Sequence, residues 1–135
     1  MLHASFGKAP CAILLLALGG CSGFGKSEEV AAVDPNMFPS TYRADLVRYL
    51  AVHLTDPAEF RGAVVSSPVL KPIGSDQRYV VCLRLGGTNR AEKATIFYAG
   101  QINQYIDATA ELCNGAAYQP FSELALAKPQ NSAAR

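Results

Sequence analysis

Residues 78–85, Arg-Tyr-Val-Val-Cys-Leu-Arg-Leu, decide the fold because their apolar side chains alternate with a period of two. Successive side chains of a β-strand point to opposite faces of the sheet, so this period is typical of a strand. One face carries only aromatic and aliphatic residues, namely Tyr79, Val81, Leu83 and Leu85. The other face is apolar only at its centre, at Val80 and Cys82, and carries Arg78 and Arg84 at its ends. The stretch therefore predicts a central strand that needs cover on both sides.

A helix over residues 40–53 is predicted to cover the first face. Its apolar stripe follows the i, i+4, i+7, i+8 spacing of an amphipathic helix and comprises Tyr42, Leu46, Tyr49, Leu50 and His53. Ser40 or Thr41 offers an N-cap hydroxyl. Asp56 is predicted to cap a single further turn that ends near Phe60.

Other strands are predicted on both sides of residues 78–85. Residues 63–70 form a first strand that lies at an edge or ends early, because Pro68 cannot donate a ladder hydrogen bond. Residues 71–76 contain proline and glycine and are predicted to be the turn that follows. The polar residues 86–92 are predicted to form a solvated hairpin loop.

The segment after residue 92 begins with a strand at residues 93–99, followed by a turn at Gly100. Residues 101–107 fit both a strand and a helix, and the single glycine after an aromatic, β-rich run favours the strand of a hairpin. A short helix is predicted at residues 108–114, capped by Asp107 and followed by Gly115.

The tail at residues 116–124 is too apolar to extend into solvent. Tyr118 and Phe121 are predicted to anchor this tail on the second face of the sheet. Residues 128–135 are predicted to be a disordered end.

The length and charge of the chain restrict its function. The 135 residues suit one domain, and 12 basic against 11 acidic residues give a net charge of +1. No basic block is present, so we expect neither nucleic-acid binding nor electrostatic adsorption to a membrane.

The N-terminal segment has the pattern of an export signal. Lys8 precedes an apolar run at residues 11–18 that is too short to span a bilayer, and Leu18, Gly19, Gly20 and Cys21 come at its end. This tetrapeptide resembles the lipobox of bacterial lipoprotein precursors, in which the cysteine thiol receives a diacylglyceryl group before a peptidase cuts in front of it. The resemblance implies a signal peptide at residues 1–20 and lipidation at Cys21. An ordinary secretory signal with an incidental cysteine is the alternative.

The four cysteines fall into distinct groups if the segment is an export signal. Cys11 leaves with the signal peptide, Cys21 is lipidated, and Cys82 and Cys113 remain as an even pair in an oxidising compartment. A disulfide between Cys82 and Cys113 would fasten the C-terminal segment over the second face. Closure of this loop is worth roughly 3.5–4 kcal/mol by the chain-entropy argument.

The fold class predicted from these elements is α+β. One amphipathic helix packs on a small, mostly antiparallel sheet of about four strands, and a disulfide staples the C-terminal segment. The globular domain is predicted at residues 40–127, after a flexible tether at residues 21–39 that is rich in glycine, serine, glutamate and proline.

The resemblance to lipoproteins also predicts a location. Enteric lipoproteins retained in the inner membrane commonly carry Asp after the lipidated cysteine, whereas this chain has Ser22. We therefore expect the chain on the periplasmic side of the envelope, with the outer membrane favoured over the inner membrane. The run at residues 113–124, with the strand-glycine-strand segment before it, is similar to the ends of small alphaproteobacterial lipoproteins that bring no known activity.

The sequence favours a binding function over catalysis. No pair of carboxylates forms a recognisable catalytic motif, and His53, the one histidine beyond the signal peptide, is insufficient for a usual zinc site. We predict no catalytic residue, no metal and no cofactor. The chain is predicted to be a non-catalytic protein-binding or accessory module of the cell envelope. Its predicted partners are the membrane, through the N-terminal lipid, and an envelope protein. The alternatives are a binder of small molecules or peptidoglycan, with Arg84, Tyr98 and Tyr105 as candidate contacts, and a periplasmic enzyme or enzyme inhibitor.

Overall fold

The computed structural model describes Gly25 and residues 30–130, and one compact unit of it begins at Ala32. The unit is α+β, as predicted. Its elements in chain order are α1 (Tyr42–His53), a 3₁₀ turn (Pro57–Phe60), β1 (Val64–Ser66), β2 (Val69–Ile73), β3 (Asp76–Arg84), β4 (Glu92–Tyr98), β5 (Gln101–Asp107), α2 (Ala110–Cys113), β6 (Tyr118–Pro120) and α3 (Ser122–Leu126).

The six strands form one sheet in the order β5-β4-β3-β1-β6, and β2 pairs with the same edge of β3 as β1 does. All pairings among the described strands are antiparallel. The expected count of about four strands was too low for two reasons. The strand predicted at residues 63–70 is divided into β1 and β2 at Ser67 and Pro68, and β6 adds a further strand.

The division at Pro68 confirms that the first strand ends early, but β1 is not an edge strand, because it lies between β3 and β6. The turn predicted at residues 71–76 was too long at both ends, since β2 continues to Ile73, β3 begins at Asp76, and the turn is formed by Gly74 and Ser75. Pro72 is tolerated inside β2 because that strand pairs on one side only.

The ambiguous residues 101–107 form β5, which confirms the hairpin. Ala99 and Gly100 form its turn with φ angles of 51° and 76°, the positive values that a two-residue hairpin of type I′ requires at both positions. The helix predicted at residues 108–114 is present but shorter, and its N-cap residue is Thr109 instead of Asp107.

The first face of the sheet is covered by α1, as the stripe predicted. Leu46 and Leu50 pack in one buried cluster with Val81, Leu83 and Leu85. Thr41 is the N-cap residue, but its hydroxyl does not accept a backbone hydrogen bond as expected. It donates to the Asp45 carboxylate at 2.7 Å, which leaves the cap without a side-chain acceptor.

The second face is covered by the loop around α2. Val80 and Cys82 pack against Cys113, and the disulfide Cys82–Cys113 is present, with a Cα–Cα distance of 5.8 Å. Tyr118 packs on this face as predicted. The prediction for Phe121 was wrong, because β6 pairs along the edge of β1 and takes the chain across to the first face, where Phe121 and Leu124 join the α1 core.

The loop at residues 86–92 is solvated only in its middle. Gly86 is buried, and its N–H donates to the Glu59 carbonyl at 2.8 Å. A Cβ at Gly86 would lie 1.7 Å from the Arg61 carbonyl oxygen, so the 3₁₀ turn fits against this position only because glycine lacks a side chain. The expectation of a wholly solvated loop missed this contact.

The predicted tether and tail both include residues that contact the domain. The Pro35 carbonyl accepts a hydrogen bond from the Ala99 N–H at 3.0 Å, and Pro39 is buried. Pro129 is also buried, within the segment predicted to be a disordered tail. Residues 131–135 lie outside the described part of the chain.

Candidate binding surface beside the disulfide

A cleft of about 510 Å³ lies where β3, β4, the α2 loop and β6 meet, and we call it the disulfide cleft. Its polar lining comes from Arg84, Glu92, Thr109, Asn114 and Tyr118, and Cys113 of the disulfide contributes to its wall. The cleft is therefore formed by segments that lie far apart in the sequence.

Three side chains in the cleft form one connected group. The Arg84 guanidinium carbon lies 4.4 Å from the centroid of the Tyr118 ring, a cation–π distance. Arg84 Nε lies 3.6 Å from Glu92 Oε2, and the Tyr118 hydroxyl donates a hydrogen bond to Glu92 Oε1. The carboxylate thus holds the cation and the phenol together.

Strand pairing places each member of this group. Arg84 lies opposite Glu92 in the register of β3 and β4. Tyr118 lies opposite Ser66 in the pairing of β1 and β6. All three side chains consequently project from the second face at the same end of the sheet.

The electrostatics of the group favour a hydrogen-bonding phenol. Burial and the hydrogen bond to Glu92 raise the pKa of Tyr118 to about 12. The hydroxyl therefore stays protonated and donates near neutral pH. The Arg84 side chain is 50% exposed, so the cation remains accessible to a partner.

The wall of the cleft is fixed at several points. The disulfide joins the α2 loop to β3, and the Ala108 N–H donates to the Glu92 carbonyl at 3.0 Å. Under the loop, the Ser66 hydroxyl accepts a hydrogen bond from the Cys82 N–H at 2.9 Å. These contacts hold the loop in one position against the second face.

A second arginine–tyrosine pair lies on the same face at the other end of β4. The Arg78 guanidinium carbon lies 5.3 Å from the centroid of the Tyr98 ring. Arg78 also donates to the Gln77 carbonyl at 2.6 Å and pairs with Asp76 at 3.2 Å, and its side chain is only 18% exposed. This arginine is engaged by its own strand to a greater extent than Arg84.

The three candidate ligand contacts do not converge. Arg84 lies in the disulfide cleft, and Tyr98 lies at the other end of the second face. Tyr105 lies opposite Thr95 and packs under α1 on the first face, 5.2 Å from Tyr49 between ring centroids. Burial raises the pKa of Tyr105, and its hydroxyl has no hydrogen-bond partner among the described residues.

His53 takes a structural role at the end of α1. Its ring stacks on that of Tyr49 with a centroid distance of 3.8 Å, and Nδ1 lies 2.7 Å from the Tyr49 carbonyl oxygen. The side chain is exposed, whereas the amphipathic stripe had placed it toward the sheet.

Within residues 30–130, the structure brings no three His, Cys, Asp or Glu side chains into an arrangement that suits a metal ion. The same part of the chain contains no helix of the length and apolarity needed to cross a membrane. Leu18, Gly19, Gly20 and Cys21, the residues of the predicted lipidation site, lie outside the described residues.

The roles of Glu92 and Tyr118 were missed from the sequence. The sequence predicts that Glu92 lies in a polar loop and that Tyr118 anchors the tail. The two side chains instead share a hydrogen bond across 26 positions of the chain. The one available signal was the opposite charge of Arg84 and Glu92 on either side of a hairpin loop, which predicts a cross-strand pair.

Comparison with known proteins adds no family to this description. No protein-family profile matches the chain, and no match is found among curated proteins or solved structures.

Proposed function

We propose that this chain is a bacterial lipoprotein, anchored through Cys21 on the periplasmic side of the cell envelope, that binds a protein partner without catalysing a reaction. The resemblance of residues 18–21 to a lipobox supports the anchor. The buried disulfide Cys82–Cys113 is consistent with an oxidising compartment. By the identity of Ser22, the outer membrane is favoured over the inner membrane.

The observation that carries the binding function is the Arg84–Tyr118 pair. Arginine and tyrosine are enriched among the residues that contribute most to protein–protein affinity. Glu92 holds both side chains in place, so little conformational entropy is lost when a partner covers them. The pair lies in a cleft whose wall is fixed by the disulfide, which makes this surface pre-organised.

Membrane anchoring strengthens such an interaction. When a partner resides in the same membrane, tethering raises the effective concentration of the binding surface without enlarging the interface. A small interface centred on Arg84 and Tyr118 is therefore sufficient to bind a partner in the same membrane.

A crosslinking pull-down from intact cells tests the proposal. We expect the tagged chain to capture a reproducible envelope protein, and the double variant with Arg84→Ala and Tyr118→Ala to lose most of that capture. The matched control carries Arg78→Ala and Tyr98→Ala, which remove the other arginine–tyrosine pair of the same face. Equal loss in both variants, or no partner of the unmodified chain, contradicts the proposal.

The anchor is tested separately. Cys21→Ser should abolish incorporation of a labelled fatty acid into the chain, because serine lacks the nucleophilic thiolate. Unchanged labelling of the variant would show that Cys21 is not the lipidated residue.

A second candidate function, binding of a small molecule or peptidoglycan fragment, is favoured by the dimensions of the disulfide cleft. Its volume of about 510 Å³ lies within the range of small-molecule sites, and its polar lining supplies a cation, a carboxylate and a phenol. A nuclear magnetic resonance titration with peptidoglycan fragments would then shift the amide signals of residues 109–115. Absence of such shifts at millimolar ligand would contradict this second function and leave protein binding as the proposed function.

A further inference from the structure

An apolar patch lies at the end of the sheet opposite the disulfide cleft, and we call it the proximal patch. It consists of Met37, Phe38, Leu70 and Tyr79. The Phe38 and Tyr79 rings meet edge to face with a centroid distance of 5.2 Å, and Leu70 lies opposite Tyr79 in the pairing of β2 and β3. Met37, Phe38 and Leu70 are 51%, 52% and 43% exposed, so large apolar surfaces face outward.

The patch is built into the domain. Pro35 is hydrogen-bonded to the β4–β5 turn through Ala99, and Pro39 is buried at the start of α1. Met37 packs over the same turn, since its Sδ would lie 3.5 Å from a Cβ at Gly100. Met37 and Phe38 are therefore held outward by residues on both sides of them.

The position of the patch along the chain indicates what covers it. Residues 22–34 separate the proposed lipidation site from Pro35, which is hydrogen-bonded to the sheet turn. Fully extended, a chain of that length spans at most about 50 Å. An anchor at Cys21 thus holds Pro35, and with it the neighbouring patch, within about 50 Å of the bilayer.

We propose that the proximal patch lies on the surface of the membrane in which the lipid is anchored. The proposal rests on lipidation at Cys21. Tyrosine, phenylalanine and leucine suit the boundary between headgroups and acyl chains, where apolar side-chain surface is buried at modest depth. The contact is hydrophobic, because the nearby Arg48 is paired with Asp45, and because removal of residues 1–20 with Lys8 leaves 12 − 1 = 11 basic residues against 11 acidic ones.

The tryptophan-free sequence allows a direct test. Phe38→Trp places one fluorophore in the patch, and Leu126→Trp places one at a control site that is 86% exposed. The control site lies at the other end of β3 from the patch. Leu126 adjoins Gly62 and Ala63, which come just before β1, and Val64 of β1 pairs with the last residue of β3. Tyr79 of the patch lies near the start of β3. Both full-length lipidated proteins are inserted into vesicles of phosphatidylcholine, with and without an anionic lipid, and each vesicle type is prepared with and without brominated acyl chains.

We expect bromine quenching to be several-fold stronger for the tryptophan at position 38 than for the one at position 126, and unchanged by high salt. Equal, weak quenching at both positions would overturn the inference, as would quenching at position 38 that requires anionic lipid and disappears in salt. Met37→Trp serves as a second reporter if Phe38→Trp does not fold.

Fatty-acid labelling of the same preparations separates the two proposals. A labelled chain without quenching at position 38 overturns the membrane contact and leaves the lipoprotein proposal standing. An unlabelled chain overturns the proposed anchor and, with it, the argument from tether length.

Discussion

The two arginine–tyrosine pairs on the second face of the sheet use the same residue types for different purposes. Arg78 and Arg84 both project from β3 onto that face, near opposite ends of the strand. Arg78 is mostly buried and bonds to its own strand, whereas Arg84 is half exposed and shares Glu92 with Tyr118. The alternation of residues 78–85 predicts the same environment for both arginines. Contacts with β4 and β6, which are distant in the sequence, make the environment of Arg84 different.

The difference shows how a fold produces an accessible cation. Arg78 finds its acceptors within two residues along the chain, so its position is settled locally. Arg84 depends on Glu92 from β4 and Tyr118 from β6, and the α2 loop fixed by the disulfide forms the wall beside them. Pre-organisation by distant segments leaves its outer surface free for a partner.

Removal of the disulfide should have the largest effect, because it loosens the wall beside Arg84 and leaves the surroundings of Arg78 unchanged. The double variant with Cys82→Ala and Cys113→Ala should lose about 3–4 kcal/mol of unfolding free energy, because the unfolded chain regains the entropy of an open loop. Denaturant titration measures the loss. Hydrogen exchange should accelerate at residues 108–116 beside Arg84 and stay slow around Arg78.

Reduction of the unmodified protein is the control for the disulfide prediction. It should produce the same acceleration at residues 108–116, since the bond opens without loss of the cysteine side chains. A stability change below about 1 kcal/mol in the double variant would contradict the loop-closure argument.

Single arginine variants should sharpen the comparison by separating stability from binding. Arg78→Ala should cost about 1–2 kcal/mol of unfolding free energy, because it removes two hydrogen bonds and buried side-chain packing. Arg84→Ala should cost less than about 1 kcal/mol, as expected for a half-exposed ion pair. Thermal denaturation and partner capture should therefore rank the two variants in opposite orders.

Alkaline pH should distinguish Tyr118 by its hydrogen bond. Its pKa rises from 10.0 to about 12 on folding, so its contribution to stability is complete below pH 10 and is lost as the pH rises through 12. The stability difference between the unmodified chain and Tyr118→Phe should shrink over that interval. Tyr105, whose pKa burial also raises, is present in both proteins and cancels from the difference. A difference independent of pH would contradict the assignment.

The smallest effect is expected from a third arginine, Arg43, which stacks over Phe121 on the first-face side at 5.2 Å. Its Nε and Nη2 both bond Glu123 at 2.7 Å and lower the pKa of that carboxyl group to about 2. The contribution is present above pH 4.5 and is lost as the pH falls toward 2. Solvent exposure limits the effect of Glu123→Gln to at most about 1 kcal/mol near neutral pH, and the effect disappears as the pH falls through about 2. Acid titration of the unfolding midpoint measures it.

Local patterns predicted the parts of the fold that depend on local chemistry. The period of residues 78–85 assigned both faces of β3, and the helical stripe placed Leu46 and Leu50 against one of them. The predicted pairing of Cys82 with Cys113 is present. That prediction took Cys11 and Cys21 to be engaged in export and lipidation, which leaves one connectivity for the other two cysteines.

The errors arose where distant segments decide the structure. The proline and glycine of residues 71–76 predict a turn that includes Pro72, although an edge strand accommodates this proline. Phe121 was placed on the wrong face, because nothing near it in the sequence shows that β6 borders β1 and leads the chain across the sheet. The disulfide cleft was unforeseen for the same reason, as its three central residues come from three strands.

The position of β1 in the sheet also governs the order in which the chain is able to fold. β1 is the first of the described strands along the chain, and its partner β6 is the last. Phe121 and Leu124 likewise complete the core that α1 begins. Contacts between such distant residues slow folding, because the entropy of loop closure must be lost before they form. The domain therefore reaches its native state only after nearly all of its residues are available, and a chain shortened before β6 leaves both the sheet and the α1 core unfinished.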